Sequence, residues 1–231
     1  MIIGIAGRKQ SGKNTVANII NGEFLKKQEL VRDYKIDNQG QLVINTTDAQ
    51  GNEGWGVFDV TRRDEEFKRY AELEIWPYVK IYHFADPLKL MAMNLFDLEE
   101  KQVYGSNDDK NTSTPYGKTA REFLQYLGTD VMRKIKDTVW VDYTIKLIQQ
   151  ENSKISIIPD VRFPNEVNAI KKAGGIVVRL TRDPYKDKHE CESSLDKSVF
   201  DWSKFDIVIE NHETNIEKLQ SDTTNLLRGV L

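Results

Sequence analysis

The chain opens Met1-Ile-Ile-Gly-Ile-Ala-Gly-Arg-Lys-Gln-Ser-Gly-Lys-Asn-Thr15, and this stretch decides the fold. Ile2 to Ala6 is an apolar run that reads as a short buried strand. Gly7 through Lys13 spells G-x-x-x-x-G-K. An amphipathic segment follows, with Val16, Ile19, Ile20 and Phe24 on one helical face. Strand, glycine loop and helix together are the context a phosphate-binding loop requires. Gly7 and Gly12 let the backbone wrap closely around phosphate oxygens. The loop N–H groups and the helix N-terminus add positive potential, and Lys13 supplies a mobile full charge. Gly7, Lys9, Ser11, Gly12, Lys13, Asn14 and Thr15 are therefore the expected nucleoside triphosphate contacts. One position departs from the usual pattern. The residue after the lysine is normally Ser or Thr, whose hydroxyl meets Mg²⁺; here Asn14 stands there and Thr15 follows. Both are candidate metal contacts, Asn14 through its amide oxygen and Thr15 through its hydroxyl.

At 231 residues the chain suits one α/β domain with insertions. A net charge of −3 and a pI near 5.8 argue against a nucleic-acid coat protein, and no partner of that polymeric kind is expected. No segment is apolar over a membrane-spanning length, and the N-terminus reads as a core strand and not as a signal peptide. The single cysteine, Cys191, leaves no internal disulfide and fits a reducing cytoplasm. It sits among His189, Glu190 and Glu192. With no matching ligand spacing elsewhere, that quartet reads as a charged loop in preference to a metal site.

Beyond the first helix, Val31–Ile36 and Gln41–Asn45 alternate around Asn38-Gln39-Gly40 and read as a hairpin. Gly51–Gly56 reads as a glycine-rich loop, with another short strand at Val57–Val60; the whole of 30–60 is an inserted β element. A helix is predicted over Asp64–Ile75 and a strand over Val79–Phe84. Asp86 is the expected cap of a helix starting at Pro87. Residues 104–118 read as a polar loop. Thr119 caps the strongest helix, with Ala120, Leu124, Leu127, Val131 and Ile135 as its apolar stripe. Helix Val139–Gln150, strand Ile155–Pro159, helix Pro164–Ala173, strand Ile176–Thr181, a charged stretch from Arg182 to Lys204, strand Asp206–Glu210 and a last helix over 214–228 complete the chain.

Short apolar strands alternating with helices predict a parallel sheet covered on both faces. Ligands then bind beyond the strand C-termini. That rule selects the Gly7–Lys13 loop, the Phe84–Asp86 end of the second core strand, Asp160 and Arg162 at the end of the third, and Arg179 with Arg182 at the fourth. Asp160 suits a carboxylate that orients Mg²⁺ or its water, with capping of the Pro164 helix as the alternative. Arg121, one turn into its helix, is a candidate phosphate ligand or a solvated surface residue. Tyr126 and Trp140 are candidate base-stacking aromatics, though aromatics at helical spacing are more often core. His83, within a strand, reads as a buried imidazole and not as a base.

Four motifs occur in order: Gly7–Thr15, Phe84-Ala-Asp-Pro-Leu-Lys89, Arg121-Glu-Phe-Leu-Gln-Tyr-Leu-Gly-Thr-Asp130 and Asp160-Val-Arg-Phe-Pro-Asn-Glu166. The set resembles the bacteriophage deoxynucleoside monophosphate kinases over residues 1–20 and 80–182, plus His189–Leu195. It does not cover the β insertion. The resemblance implies a P-loop three-layer sandwich forming a single kinase domain, with five parallel strands and a lid at 182–204. It implies transfer from ATP to a deoxynucleoside monophosphate with Mg²⁺, giving ADP and the diphosphate. Lys13 would sit on the donor phosphates, and Arg121 and Arg162 near the acceptor phosphate. Asp86, Lys89, Tyr126, Trp140 and Asp160 complete the expected substrate site, and Arg182 begins a lid over ATP. Residence in the cytoplasm, that of the host for a phage-encoded chain, is expected, and a homodimer is compatible with this reading. The glycine loop alone also admits a dephospho-coenzyme A kinase-like enzyme or a non-catalytic nucleotide switch.

Overall fold

The computed structural model describes all residues except 48–50, 60, 61, 63, 185–189, 213, 214 and 229–231. Packing divides the chain into two compact units, Met1–Tyr82 with Ile148–Leu231, and His83–Leu147. Along the chain run β1 (Ile2–Ala6), α1 (Lys13–Lys27), β2 (Asp33–Ile36), β3 (Leu42–Thr47), β4 (Glu53–Val57), α2 (Glu65–Glu74) and β5 (Val79–Ile81). The second unit holds α3 (Asp86–Phe96), α4 (Glu100–Tyr104), α5 (Asn107–Lys110), α6 (Ala120–Gln125), a π-helical segment Tyr126–Met132 and α7 (Arg133–Ile135). The boundary falls inside α8 (Val139–Glu151). Then come β6 (Ile155–Val161), α9 (Pro164–Lys172), β7 (Ile176–Leu180), α10 (Glu190–Ser193), a 3₁₀ turn at Trp202–Lys204, β8 (Ile207–Ile209) and α11 (Ile216–Leu227). No helix among the described residues is long and apolar enough to cross a membrane.

The first unit is a five-stranded, all-parallel sheet in the order β5-β6-β1-β7-β8. Strand β1 lies at its centre, between β6 and β7. The chain leaves β1 toward the β5 edge and later crosses to the other side from β6 to β7. That reversal is the switch point at which α/β sheets open a ligand crevice. Alternation along the strands separates two helical layers. Ile3, Ile5, Ile155, Ile157, Val178 and Leu180 join Val16, Ile19, Ile20 of α1 and Leu219, Leu227 of α11 in one core. Gly4 points the other way, toward Ile170 of α9.

The amphipathic reading of α1 is too narrow. Ala17, Asn21, Gly22 and Leu25 are buried along with the expected apolar face. The inserted sheet, β2-β3-β4, covers that second side with Tyr34 and Leu42. The 31–36/41–45 hairpin is as expected, with Tyr34 opposite Ile44 and Lys35 opposite Val43. The glycine-rich 51–56 stretch, by contrast, is mostly strand. Gly54 pairs with Thr46, Trp55 with Asn45 and Gly56 with Ile44. β4 is exposed throughout, so backbone pairing to β3 makes it a strand without burial, which periodicity cannot detect. Val60, at the end of the strand expected there, lies outside the described residues. β5 is also shorter than its alternation suggests. The chain leaves the sheet after Tyr82, whose N–H donates to the Ile157 carbonyl at 2.8 Å.

In the second unit Ala92, Leu98, Val103, Ala120, Phe123 and Leu127 form a separate core. Asp86 is the first residue of α3, preceded by Ala85, and not the cap. The polar 104–118 stretch contains α5, capped reciprocally by Ser106 and Asp109. One helical turn is too short to show a period, though the Ser-x-x-Asp signature was present. Thr119 caps α6 as expected. The helix then widens into the π segment, and Ile135, counted in its apolar stripe, is 77% exposed. The wider π turn shifts the later positions off the 3.6-residue register.

Close approach makes Gly22 the sharpest test of this packing. A Cβ there would lie 2.3 Å from Cδ2 of Tyr34 and 2.8 Å from Cδ1 of Leu42. Gly22→Ala is expected to lower stability by about 1–3 kcal/mol, although alanine is the better helix former by about 1 kcal/mol. Urea unfolding checks it: a midpoint at or above wild type would show that the hairpin does not press on α1.

Candidate active site

The loop after β1 is folded by its own hydrogen bonds. The Ser11 N–H donates to the Arg8 carbonyl at 3.1 Å. Gly12 has φ +99°, a left-handed value that favours glycine, and it starts α1. Gln10 also has positive φ, at 56°. Ser11 is fully buried, with its hydroxyl unpartnered. Lys13 is only 9% exposed, and its Nζ donates to the carbonyls of Gly7 at 2.7 Å and Arg8 at 2.6 Å. Asn211, from the loop after β8, donates through Nδ2 to the Ser11 carbonyl at 2.6 Å. Its Oδ1 accepts the Arg182 N–H at 3.1 Å, and its own N–H donates to the Thr181 hydroxyl at 3.3 Å. Asn211 thus ties the loop to the end of β7, a role no local sequence signal announced.

Asp160 is aimed by an irregularity. Between Gly4 and Ala6 of β1 the facing β6 residues run from Ile158 to Val161, one residue more than β1 uses. The extra residue falls at Pro159-Asp160, where proline has no N–H to donate. β6 therefore continues past Pro159, where the sequence reading ended it. The N-cap position of α9 is Phe163. Glu166 caps the start of the helix, accepting the N–H groups of Arg162 at 2.6 Å and Phe163 at 3.0 Å. The Arg162 guanidinium pairs with Glu192, whose other oxygen accepts the Lys9 N–H at 2.6 Å. Arg8 is bound twice by Asp196, with Nε to Oδ1 at 3.1 Å, and lies 3.7 Å from Asp183. Arg179 is 4% exposed, lies 3.8 Å from Asp196 and sits over the Trp202 ring. Its guanidinium belongs to this packing. Leu195, Phe200 and Phe205 are buried, so the second half of the stretch read as a lid is anchored by apolar side chains.

Asn14 is exposed in the first turn of α1. Thr15 faces the hairpin turn: a Cβ on Gly40 would lie 2.3 Å from its hydroxyl oxygen. No three His, Cys, Asp or Glu side chains among the described residues form a metal cluster. His189 and the side chains of Glu190 and Cys191 lie outside what is described.

The second unit gathers positive charge. The Arg121 guanidinium is held by carboxamides, from Nη2 to Asn107 at 2.9 Å and from Nε to Asn111 at 3.3 Å. These neutral partners orient the fork, and among the described residues no carboxylate pairs with it. Lys110 belongs to the same turn. Burial, then the charges of Lys89 and Arg121, hold its ammonium below the usual lysine range. Lys110 lies within the polar 104–118 stretch, where no helical period marks its turn. Lys89 lies 3.6 Å from Asp86 and 4.5 Å from the centre of the Tyr104 ring, and His83 lies 3.4 Å from Asp86. Tyr126 is exposed, at the start of the π segment, with Lys118 over its ring. Trp140 is buried and donates to the Gly128 carbonyl at 3.1 Å, which is a core position.

A family model described as deoxynucleotide monophosphate kinase matches residues 1–223. A protein of Acanthamoeba polyphaga mimivirus, provisionally described as a deoxynucleotide monophosphate kinase, is 33% identical over 154 residues, 60% of this chain and 77% of that protein. The chain belongs to the deoxynucleotide monophosphate kinase family. It is an enzyme, a kinase of nucleotide metabolism, and the resemblance read from the four motifs holds. The match extends through the β insertion, which those motifs did not reach.

In this kinase the Lys13 ammonium is held well below the usual lysine range. Burial first, then the charge of Arg162, pulls its pKa from 10.5 down to about 8; Arg179 adds to the shift, while Glu192 and Asp160 oppose it. Between those values the unfolded chain still holds the proton that the folded chain has shed. Stability therefore rises with pH across that window. Phosphate oxygens beside the ammonium reverse the shift. ADP binding at pH 8 is expected to draw a proton onto Lys13. Calorimetry in buffers of differing ionisation heat checks this: the binding enthalpy should vary with buffer for wild type and much less for Lys13→Met.

Proposed function

We propose that the enzyme transfers the γ-phosphoryl group of ATP to the 5′-phosphate of a deoxynucleoside monophosphate. An acceptor phosphate oxygen attacks the γ-phosphorus, the bond to the β,γ-bridging oxygen breaks, and ADP leaves with that electron pair. The reading is carried by the buried Lys13 in a glycine loop at the switch point of the sheet, in a chain of this kinase family. Such transfer needs positioning and charge neutralisation more than covalent chemistry. Lys13 exchanges its two carbonyl partners for donor phosphate oxygens. Loop amides between Gly7 and Thr15, that of Gly12 among them, complete the cradle, while the Lys9 and Ser11 N–H groups, bonded to Glu192 and to the Arg8 carbonyl, hold the loop's shape. Arg121 and Arg162 hold the acceptor phosphate, with Lys89 and Lys110 adding charge. Asp86, through its place beside Lys89, orients that lysine, and Tyr126 offers a face to the base. Arg182, tied by Asn211 to the loop, sits on the donor. No role is assigned to Trp140.

For Mg²⁺ the residues present fit. An amide oxygen on Asn14 and a carboxylate on Asp160 are the hard oxygen donors the ion takes. The contact of Thr15 with Gly40 favours Asn14 as the metal-facing residue. Bound Mg²⁺ would offset donor phosphate charge. Asn14→Asp exchanges an amide for a carboxylate, so half-maximal activity is expected at lower Mg²⁺. An unchanged midpoint in a Mg²⁺ titration at fixed ATP would remove Asn14 from the metal.

A coupled ADP-release assay with ATP, across the four deoxynucleoside monophosphates and the matching ribonucleotides, tests the activity and reads its selectivity. Within it, Arg121→Ala is expected to raise the acceptor KM about tenfold to a hundredfold, the loss of a charge-assisted contact of roughly 1.5–3 kcal/mol. Lys110→Met is expected to raise it by roughly threefold to tenfold, with the ATP KM flat in both. A rise in ATP KM with a flat acceptor KM would exchange the two assignments.

A further inference from the structure

Glu192 is left over from the roles above, yet it is among the most buried charges of the first unit, with its side chain 5% exposed. A carboxylate withdrawn so far from water persists only where both oxygens are bonded. Both are bonded here, to different parts of the site. Oε2 accepts the Lys9 N–H at 2.6 Å, and Oε1 pairs with Nη1 of Arg162. Over a third of the Arg162 side chain remains exposed, and its backbone is pinned by Glu166. Four residues on, Asp196 grips Arg8 of the same loop. Between them Leu195 is buried and its carbonyl accepts the Trp202 indole N–H at 2.9 Å. The segment is therefore fixed at its own end and can hold the others.

We propose that Glu192 is a positioning residue of the phosphoryl-transfer site. It aims the Arg162 fork at the acceptor phosphate and pins the Lys9 end of the donor loop, so that one side chain sets the two against each other. The idea rests on the assignment of Arg162 to the acceptor.

Three variants separate its two bonds. Glu192→Gln keeps an oxygen for the Lys9 N–H and removes the charge that orients Arg162. It is expected to lower acceptor kcat/KM about tenfold with the ATP KM within about twofold. Glu192→Ala removes both bonds and is expected to raise the ATP KM as well. In an Arg162→Ala background, Glu192→Gln is expected to cost nothing further, because the group it acts through is gone. Should Glu192→Gln not fold, as circular dichroism would show, Glu192→Asp takes its place. It keeps the charge but shortens its reach, with the same expected split. Near-normal kinetics for Glu192→Gln, or an equal loss with and without Arg162, would overturn the proposal while leaving the kinase reading intact. If wild type releases no ADP with any of the monophosphates, the kinase reading fails instead. ADP calorimetry then judges Glu192 by its loop contact. Weaker binding in Glu192→Ala than in Glu192→Gln supports the contact, and equal affinity overturns it.

Discussion

A lysine ammonium buried at the carboxyl end of the central strand constrains everything around it. Lys13 is satisfied by two backbone carbonyls of its own loop, and those carbonyls face it only because the chain turns tightly between Gly7 and Gly12. The turn requires β1 at the middle of the sheet and α1 starting at once beyond it. Burial of the charge is unfavourable, and Arg162 and Arg179 make it more so; Glu192 and Asp160 offset part of the cost. Burial is the largest of these effects, and it leaves the ammonium below the usual lysine range.

The partners given to the cations are of two kinds. Arg8, Arg162 and Arg179 all meet carboxylates, and Arg179 is further enclosed by aromatic rings. Such pairs neutralise charge and fix geometry. Among the described residues Arg121 meets only carboxamides, and Lys110 lies beside Lys89 and Arg121, with Asp109 opposing them. Orientation without neutralisation preserves the attraction for an anion, since an amide oxygen accepts a hydrogen bond but carries no full charge. Arg162 stands between the two kinds, paired on one side and partly exposed on the other.

The inserted sheet has a structural part in this scheme. It covers the face of α1 that the parallel sheet leaves open, and its turn at Gly40 seats directly on Thr15. The carboxamide of Asn18 donates to the Gly40 carbonyl at 2.9 Å, a second tie from hairpin to helix. The helix that presents Lys13 is therefore braced along its length from outside as well as from the sheet.

Much of this was legible in the chain before its folding. Gly7–Lys13 between an apolar run and a helical one specified the strand, the loop and the helix, because each is a local matter of backbone freedom and spacing, and the alternation of apolar strands with helices specified the parallel sheet. The strand-end rule put Asp160 and Arg162 at the end of a core strand, where they lie, and the Thr119 cap put Arg121 in the first turn of its helix. No such local rule reached Glu192, Asp196 and Asn211, for their partners lie far away in the chain: Lys9 is 183 residues from Glu192, and Ser11 is 200 from Asn211. Lys110 was hidden in a turn too short to have a period, and β4 was hidden because it pairs without being buried. Local propensity sets which segments are strands and helices. Which buried carboxylate meets which arginine, and which cation is left unneutralised, is decided only when distant segments share one low-dielectric space and every charge there must find a partner or keep its field for a ligand.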